Sequence, residues 1–325
     1  MAPEPINSTL YARQRIFDRT LVPVGEELLY RERPYPNRAP ARFDPDRATS
    51  RVLVNAFMHN PHPAFSATYS AFVNFSAATL ARDLPFPPDR LVVEVLESVR
   101  VNDAVRRRLD RLKRHGFRIA LDDYTRHDAE HPLLDHADIV KLEYPAFRPA
   151  DIRAVIARLK KRKPELQVLV EKIETPYDLE CARAAGGDLL QGYRLHRPEP
   201  VFAPMIETAP SELRALRAVL ANIDPSRQVD QLAGQLARCP VMADHLTRLA
   251  AHRRPDRAGH RMDARQIIDI VEPAAFESLL DFIEAARPPR RARRRRTRRL
   301  HSPLDLRLRS ALLGTARNLL GFDAS

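Results

Sequence analysis

Polar residues end a series of apolar runs in the first 200 residues of this chain, at intervals of about 20 to 50 residues. A parallel barrel that carries its site at the carboxyl ends of its strands has this pattern. Buried carboxylates repel one another unless a cation holds them. The pattern therefore predicts a barrel with a metal site on one rim. The residues are Glu27, Asn74, Glu94, Asp122, Asp123, Lys141, Glu171 and Gln191.

Strand-like and helix-like segments alternate along the same part of the chain. The apolar run Leu91–Leu96 precedes a predicted helix that has Asn102 as its cap and Gly116 as its stop. A later helix is predicted to begin after the cap Thr175 and to end at Gly186. The fold class predicted is α/β. A barrel is favoured over a flat doubly wound sheet because polar residues end many different strands.

The positive charge of the chain is concentrated in one segment. The formal net charge is +12, and nine arginines lie between Arg287 and Arg299, so the remainder carries about 12 − 9 = +3. An arginine-rich tail binds anionic surfaces nonspecifically, whether nucleic acid or an acidic membrane leaflet. Because no aromatic residues are interleaved for base stacking, sequence-specific recognition of nucleic acid is not expected.

Length and composition predict one large domain and a smaller one, since 325 residues with 44% hydrophobic content can bury a large core. Only Cys181 and Cys239 are present, which indicates a reducing compartment rather than a disulfide framework. The amino terminus lacks an apolar signal core, and no apolar stretch approaches the roughly 20 residues that span a bilayer. The protein is therefore expected to be soluble and cytoplasmic.

Changes in composition predict the domain organisation. After residue 200 the strand-like runs stop, and residues 211–286 are predicted to be helices without strands. The predicted segments are an amino-terminal tail (1–9), the barrel (10–200), a linker (201–210), a helical domain (211–286), an arginine-rich linker (287–301) and a carboxyl-terminal amphipathic helix (302–325).

Several short motifs resemble, in order, those of the EAL family of cyclic-di-GMP phosphodiesterases. The resemblance covers about residues 10–198, although Leu28 stands where the family has alanine. One such motif would carry little weight, but the ordered series across a β-then-α pattern is specific. It implies an EAL-type TIM-like (β/α)8 barrel that binds cyclic-di-GMP. The motifs are Glu27-Leu28-Leu29 with Arg31, Phe72–Ser76, Glu94–Glu97, Leu121–Tyr124, Lys141–Glu143, Glu171–Glu174 and Gln191–Tyr193.

The resemblance also implies a site for two ions, Mg²⁺ or Mn²⁺, since hard oxygen ligands select hard cations. Lys141 would position water or stabilise charge, Glu171 would be the general base or a ligand, and Gln191 would orient the site. Gln14 and Arg31 resemble the contacts to base and phosphate, while Glu97 and Glu174 are expected just outside the ligands. The implied ligands are Glu27, Asn74, Glu94 and Asp122 for one ion, and Asp122, Asp123 and Glu171 for the other.

Two functions remain open. The ligand set favours a metal-dependent phosphodiesterase that converts cyclic-di-GMP to linear pGpG. The family follows its tandem aspartates with a loop rich in glycine and serine, which governs metal and substrate binding and dimer contact, but this chain has Tyr124–Glu130 there. That departure favours a degenerate EAL receptor or scaffold that binds cyclic-di-GMP or a protein partner. A homodimer is left open.

The helical region 211–286 resembles a shortened HDOD domain, as in YuxH-like proteins that join EAL to HDOD. HDOD domains are generally interaction modules without catalysis. The resemblance therefore implies a protein partner for this region and no chemistry within it. The simpler interpretation is a helical cap that covers part of the barrel.

Overall fold

Eight strands close into a barrel, and a ninth strand extends the sheet at β1. The structure is a computed structural model that describes residues 7–31, 44–59, 69–124, 131–204, 208–221, 227–260 and 262–287. The strands are β1 (Asn7–Asp18), β2 (Pro23–Leu29), β3 (Ser70–Phe75), β4 (Leu91–Val95), β5 (Arg118–Leu121), β6 (Ile139–Glu143), β7 (Gln167–Glu171), β8 (Leu189–Leu190) and β9 (Glu199–Pro204).

The barrel has the strand order β2-β3-β4-β5-β6-β7-β8-β1 and closes where β1 pairs with β2. Neighbours from β2 to β8 are parallel, which confirms the predicted TIM-like barrel. Strand β1 is antiparallel to both β2 and β8. The turn between Asp18 and Pro23 is too short for a parallel crossover, so it can only join a hairpin.

Helices follow most of the strands and then form the last part of the described chain. The predicted start of α3 (Asp103–Arg114) is confirmed, since Asn102 accepts a hydrogen bond from the Val105 backbone N–H at 2.9 Å. The Thr175 cap of α5 (Pro176–Ala185) is confirmed too, and Gly186 ends that helix with φ 100°. The helices are α1 (Pro45–Val54), α2 (Ala77–Leu80), α3 (Asp103–Arg114), α4 (Pro149–Arg162), α5 (Pro176–Ala185), α6 (Pro210–Ala221), α7 (Gln228–Leu236), α8 (Pro240–Arg253), α9 (Ala264–Val271) and α10 (Pro273–Ala286).

The inside of the barrel holds a layer of apolar side chains, one from each of seven strands. All of them are buried, and Val24 of β2 packs against them. Side chains two positions apart on a strand share a face, so the next inward position on each strand lies one layer nearer the rim. The apolar layer consists of Ile16, Phe72, Val92, Ala120, Ile139, Leu169 and Leu189.

Helices after residue 210 pack against the barrel, and all the described residues belong to one compact unit. The Phe57 ring lies 5.2 Å from Phe86 and 5.3 Å from His252 of α8, between ring centroids. Arg253 donates a hydrogen bond to the carbonyl of Pro85, before β4, at 2.9 Å. The helices therefore contact the barrel near the amino ends of its strands.

The segment predicted as a linker, 201–210, differs from the prediction in its first part. Residues 199–204 form β9, which pairs antiparallel with β1. The predicted domain boundaries and the HDOD resemblance stay predictions. The arginine-rich segment beyond Arg287 and the predicted helix at 302–325 lie outside the described residues. Within the described part of the chain, no helix is both long and apolar enough to cross a membrane.

One buried and one partly buried histidine, His59 and His252, should make the protein sensitive to acid. Burial lowers the pKa of His59 from 6.5 to about 3, and burial together with Arg90 lowers the pKa of His252 to about 4. Both imidazoles are neutral in the folded state near pH 5, whereas the unfolded chain binds protons below pH 6.5. The free energy of unfolding should therefore fall as the pH drops below 6.5, by about 2 kcal/mol per histidine at pH 5.

Urea unfolding at pH 7 and pH 5 measures this loss. The variant His252→Leu, which cannot take up the proton, should lose about 2 kcal/mol less between the two pH values than the unsubstituted chain. Since all other titrating groups are shared, the difference isolates His252. Equal losses in the two proteins would contradict a depressed pKa at this residue.

Candidate active site

The predicted polar residues form the layer directly above the apolar layer of the barrel. On six strands the polar residue stands two positions after the apolar one, as Glu94 follows Val92 on β4. Gln14 stands two positions before Ile16 because β1 runs in the opposite direction, and it pairs with Glu27 across the β1–β2 hairpin. The six are Asn74, Glu94, Asp122, Lys141, Glu171 and Gln191.

Lys141 lies at the centre of this polar layer, with its side chain only 2% exposed. Its Nζ is 2.9 Å from Glu94 Oε1 and 3.0 Å from Asp122 Oδ1. The same nitrogen is 3.0 Å from Glu171 Oε1 and 3.4 Å from Glu27 Oε1. One ammonium group therefore faces four carboxyl groups from four different strands or strand ends.

The electrostatics of the layer reflect an excess of negative charge. Burial alone would lower the pKa of Lys141, but the four carboxylates raise it well above its usual range. Burial raises the pKa of Glu94 well above its usual range, although Lys141 opposes the rise. Burial likewise raises the pKa of Glu171 to about 8. A further cation would thus be stabilised among these carboxylates.

Gln191 and Gln14 extend the layer toward β1 and β2. Gln191 Nε2 donates to Glu27 Oε2 at 2.8 Å, so the amide orients that carboxylate. Gln14 is buried and donates through Nε2 to the carbonyl of His196 at 3.0 Å. The structure therefore brings both predicted glutamines to the polar layer, next to Glu27.

Asp123 belongs to a second group, nearer the rim. Burial and the neighbouring Asp122 raise the pKa of Asp123 to about 6, and its carboxyl hydrogen-bonds to that of Glu143, at the end of β6. Glu143 pairs with the ammonium of Lys172, which follows Glu171. No role was predicted from the sequence for Glu143 or Lys172. Their opposite charges at the ends of neighbouring strands were the available signal.

The remaining predicted residues lie at the edge of the site. Glu97 is exposed, and its charge contributes to the raised pKa of Asp123. Arg31 follows β2, and burial lowers its pKa, while Tyr193 and Glu27 act in the opposite direction. Glu174 is exposed ahead of α5, and its carboxylate has no hydrogen bond to the site in the described structure.

The carboxylate and amide oxygens of the polar layer are ligands that suit a hard cation, although the carboxylates now point toward the Lys141 ammonium. Asn74 Oδ1 and both carboxylate oxygens of Glu94 are buried and lack a hydrogen bond of acceptable geometry. Asn74 and Glu94 are direct neighbours on β3 and β4. No cluster of three or more His, Cys, Asp or Glu in the described ranges is arranged to hold an ion. The residue types fit a metal, and the side chains would have to turn from Lys141 toward it.

Gly192 fixes the backbone beside Gln191. A Cβ at this position would lie 2.1 Å from the carbonyl oxygen of Ile173, a contact that the backbone cannot accommodate without moving. Two hydrogen bonds hold the segments together, from Ile173 N–H to Gln191 O at 3.1 Å and from Arg194 N–H to Ile173 O at 3.0 Å. Glycine therefore allows the end of β8 to approach the chain after β7 and so places Gln191.

Replacing Gly192 by alanine should destabilise the protein and disturb the site. We expect the free energy of unfolding to fall by about 3 kcal/mol, because the added methyl group forces the two backbone segments apart. Gly234→Ala is the control: it lies on α7, and an added Cβ meets nothing within 4 Å. That change should raise stability by up to about 1 kcal/mol. Similar unfolding curves for both variants would contradict the close approach.

The comparisons with known proteins show what the chain is similar to. Residues 57–198 match the model of the EAL domain. A segment of 209 residues is 32% identical to the cyclic di-GMP phosphodiesterase CdgJ of Vibrio cholerae, covering 60% of this chain and 46% of that protein. A segment of 204 residues is 32% identical to the protein YuxH of Bacillus subtilis, covering 61% and 49%. The chain thus spans about half the length of the curated relatives it matches.

Solved structures with an EAL domain also align with this chain. The YkuI protein of Bacillus subtilis, in complex with cyclic-di-GMP and calcium, is 17% identical, with a TM-score of 0.47. The alignment covers 71% of this chain and 72% of that one. The family-model match begins after Gln14, Glu27 and Arg31. The register of β1 against β2 places Gln14 opposite Glu27.

Proposed function

We propose that this chain, whose residues 57–198 form an EAL domain, hydrolyses one phosphodiester of cyclic-di-GMP to give linear pGpG with the help of two Mg²⁺ or Mn²⁺ ions. The observation that carries the proposal is the ring of carboxylates around Lys141, beside the buried Asn74 Oδ1 and Glu94 Oε2, which have no hydrogen bond in the described structure. The 32% identity to a cyclic di-GMP phosphodiesterase supports the choice of substrate.

The ligands proposed for the ions are all oxygen donors of the polar layer or its rim. When bound, the ions would supply an acidified water and neutralise charge on the phosphate. The ligands are Glu27, Asn74, Glu94 and Asp122 for one ion, with Asp122, Asp123 and Glu171 for the other.

The side chains of this chain would supply the remaining chemistry. Glu171, whose Oε1 lies 3.0 Å from Lys141 Nζ, would take a proton from the attacking water. The Lys141 ammonium would stabilise negative charge on the phosphate as the bond to the leaving oxygen breaks. Gln191 would keep Glu27 oriented through its 2.8 Å hydrogen bond. Gln14 and Arg31 are proposed as contacts to base and phosphate.

A receptor or scaffold is the second candidate function. The observation that favours it is the set of close ion pairs to Lys141, which gives carboxylates of the layer a cationic partner without a metal ion. The loop Tyr124–Glu130 favours it too, although residues 125–130 lie outside the described structure. In that case the nucleotide would bind without turnover, and helices α6–α10 would offer a surface to a protein partner.

Binding and turnover measured on one preparation separate the two functions. The purified chain is incubated with cyclic-di-GMP and Mn²⁺ or Mg²⁺, with and without excess EDTA, while calorimetry measures nucleotide binding. Linear dinucleotide that appears only with the metal supports the phosphodiesterase. Binding without product supports the receptor, and failure of both would overturn the proposal that cyclic-di-GMP is the ligand.

A further inference from the structure

Two residues at the rim of the site have backbone conformations that are unfavourable for residues other than glycine. Asp123 has φ 47° and Lys172 has φ 56°, in the left-handed region. They directly follow Asp122 and Glu171, which contact Lys141. A side chain in this region costs about 1–2 kcal/mol. Such strain persists where the surrounding structure holds it. At Lys172 the strained backbone places a cation beside Glu171, a proposed metal ligand.

Contacts across three neighbouring strand ends hold Lys172 in place. Strand β6 lies between β5 and β7, and its last residue, Glu143, pairs in register with Glu171. The ammonium of Lys172 forms an ion pair with Glu143, and the Glu143 carboxyl is hydrogen-bonded to the carboxyl of Asp123. Glu143 stands two positions after Lys141, so both side chains face the inside of the barrel. A second fixed cation, the Lys172 ammonium, therefore lies nearer the rim of the barrel than Lys141.

The Lys172 ammonium has donors to spare. Its side chain is 54% exposed, unlike that of Lys141, which is 2% exposed. An ammonium group has three N–H donors, and one ion pair to Glu143 leaves others for an anionic ligand. A phosphodiester oxygen brought to the carboxylate layer would approach from the open rim, where this cation lies. A charge-assisted hydrogen bond between ammonium and phosphate is the expected contact.

We propose that Lys172 is a substrate-binding residue that contacts a phosphodiester oxygen of the nucleotide, and that Glu143 positions its ammonium. The inference rests on the proposed function, since it needs cyclic-di-GMP as the ligand. It adds a residue that the family resemblance did not assign. Lys172 contributes to nucleotide binding. It neither holds the metal ions nor takes part in the proton transfer, which distinguishes it from Lys141 and Glu171.

The first test replaces Lys172 by methionine, which keeps the length of the side chain but removes the charge. We expect KM, and the Kd for cyclic-di-GMP from calorimetry, to rise about tenfold, the effect of one charge-assisted hydrogen bond. The kcat should stay within about twofold, and Mn²⁺ affinity without nucleotide should not fall, because neither rests on the ammonium. Glu143→Gln should raise KM in the same direction by less. Lys161→Met, an exposed lysine of α4, is the control.

The second test separates binding from folding. Lys172→Gly removes both the charge and the strain, so it should bind nucleotide as weakly as Lys172→Met while unfolding at a higher temperature than that variant. A purely structural lysine would instead give weak binding only where stability is also lost.

Each outcome decides the inference. Weak binding by both variants, with the higher melting temperature for Lys172→Gly, supports it. Binding by Lys172→Met as tight as in the unsubstituted chain overturns the role of Lys172 and leaves the proposed function standing. A loss of Mn²⁺ affinity in Lys172→Met also overturns it, since Lys172 would then act through Asp123. No nucleotide binding by the unsubstituted chain overturns the proposed function together with this inference.

Discussion

Replacing Lys141 by methionine will destabilise the protein more than any other lysine substitution considered for this chain. The ammonium contacts four carboxyl groups at 2.9–3.4 Å in an almost fully buried site. Without it those groups keep their mutual repulsion and lose their counter-charge. Removing one partner of a buried ion pair costs about 3–5 kcal/mol. Thermal melting without divalent metal should show a fall on the order of 10 °C.

The same variant tests the affinity of the carboxylates for metal. If they hold Mn²⁺, the ion replaces the missing positive charge, and at 100 times its Kd it should restore about 2.7 kcal/mol of stability. Lys161→Met, on the exposed face of α4, should change the melting temperature little and should respond to Mn²⁺ as the unsubstituted chain does. A melting curve for Lys141→Met that resembles the Lys161→Met curve would show that the four contacts contribute nothing to the fold.

Replacing Glu171 by glutamine should abolish most of the turnover while leaving the fold intact. Glutamine keeps the shape of the side chain but neither accepts a proton nor offers a charged ligand. Loss of a general base lowers the rate by about 10²–10⁴-fold. The loss should appear in kcat, measured by release of linear dinucleotide in Mn²⁺. Lys141 retains three carboxylate partners in this variant, so the melting temperature should change far less than in Lys141→Met.

Glu174→Gln provides the matched control for Glu171→Gln. Glu174 belongs to the same sequence motif, three positions later, but it is exposed ahead of α5. Its substitution should leave kcat within about twofold, because no contact of its carboxylate to the site is present in the described structure. Equal losses of kcat in the two variants would contradict the assignment of the proton-transfer role to Glu171.

The barrel and the polar layer could be predicted from the sequence because both follow from local patterns. Six of the site residues stand two positions after a buried apolar residue that faces the inside of the barrel, as Glu94 follows Val92. Alternation on a strand and the shared direction of β2 to β8 bring such residues to one rim. The ordered motifs then indicated an EAL domain, and the model of that domain matches residues 57–198.

Features that depend on distant pairing could not be predicted in the same way. Strand β9 lies where the sequence indicated a linker, because its partner β1 is nearly 200 residues earlier in the chain. The ion pair between Glu143 and Lys172 depends on the register of β6 against β7. The positive φ of Lys172 cannot be predicted from the residue type or from the local composition. Sequence patterns report which face a side chain takes, whereas these features depend on which strands become neighbours.

Hydrolysis in water enriched in oxygen-18 tests the central claim most directly. The unsubstituted chain is incubated with cyclic-di-GMP and Mn²⁺ in labelled water, and the product is analysed by mass spectrometry. Water attack on phosphorus predicts linear pGpG with one oxygen-18 atom in its terminal phosphate, and no product when EDTA is in excess. Intact cyclic-di-GMP after prolonged incubation, or linear product without the label, would contradict metal-dependent hydrolysis by this site.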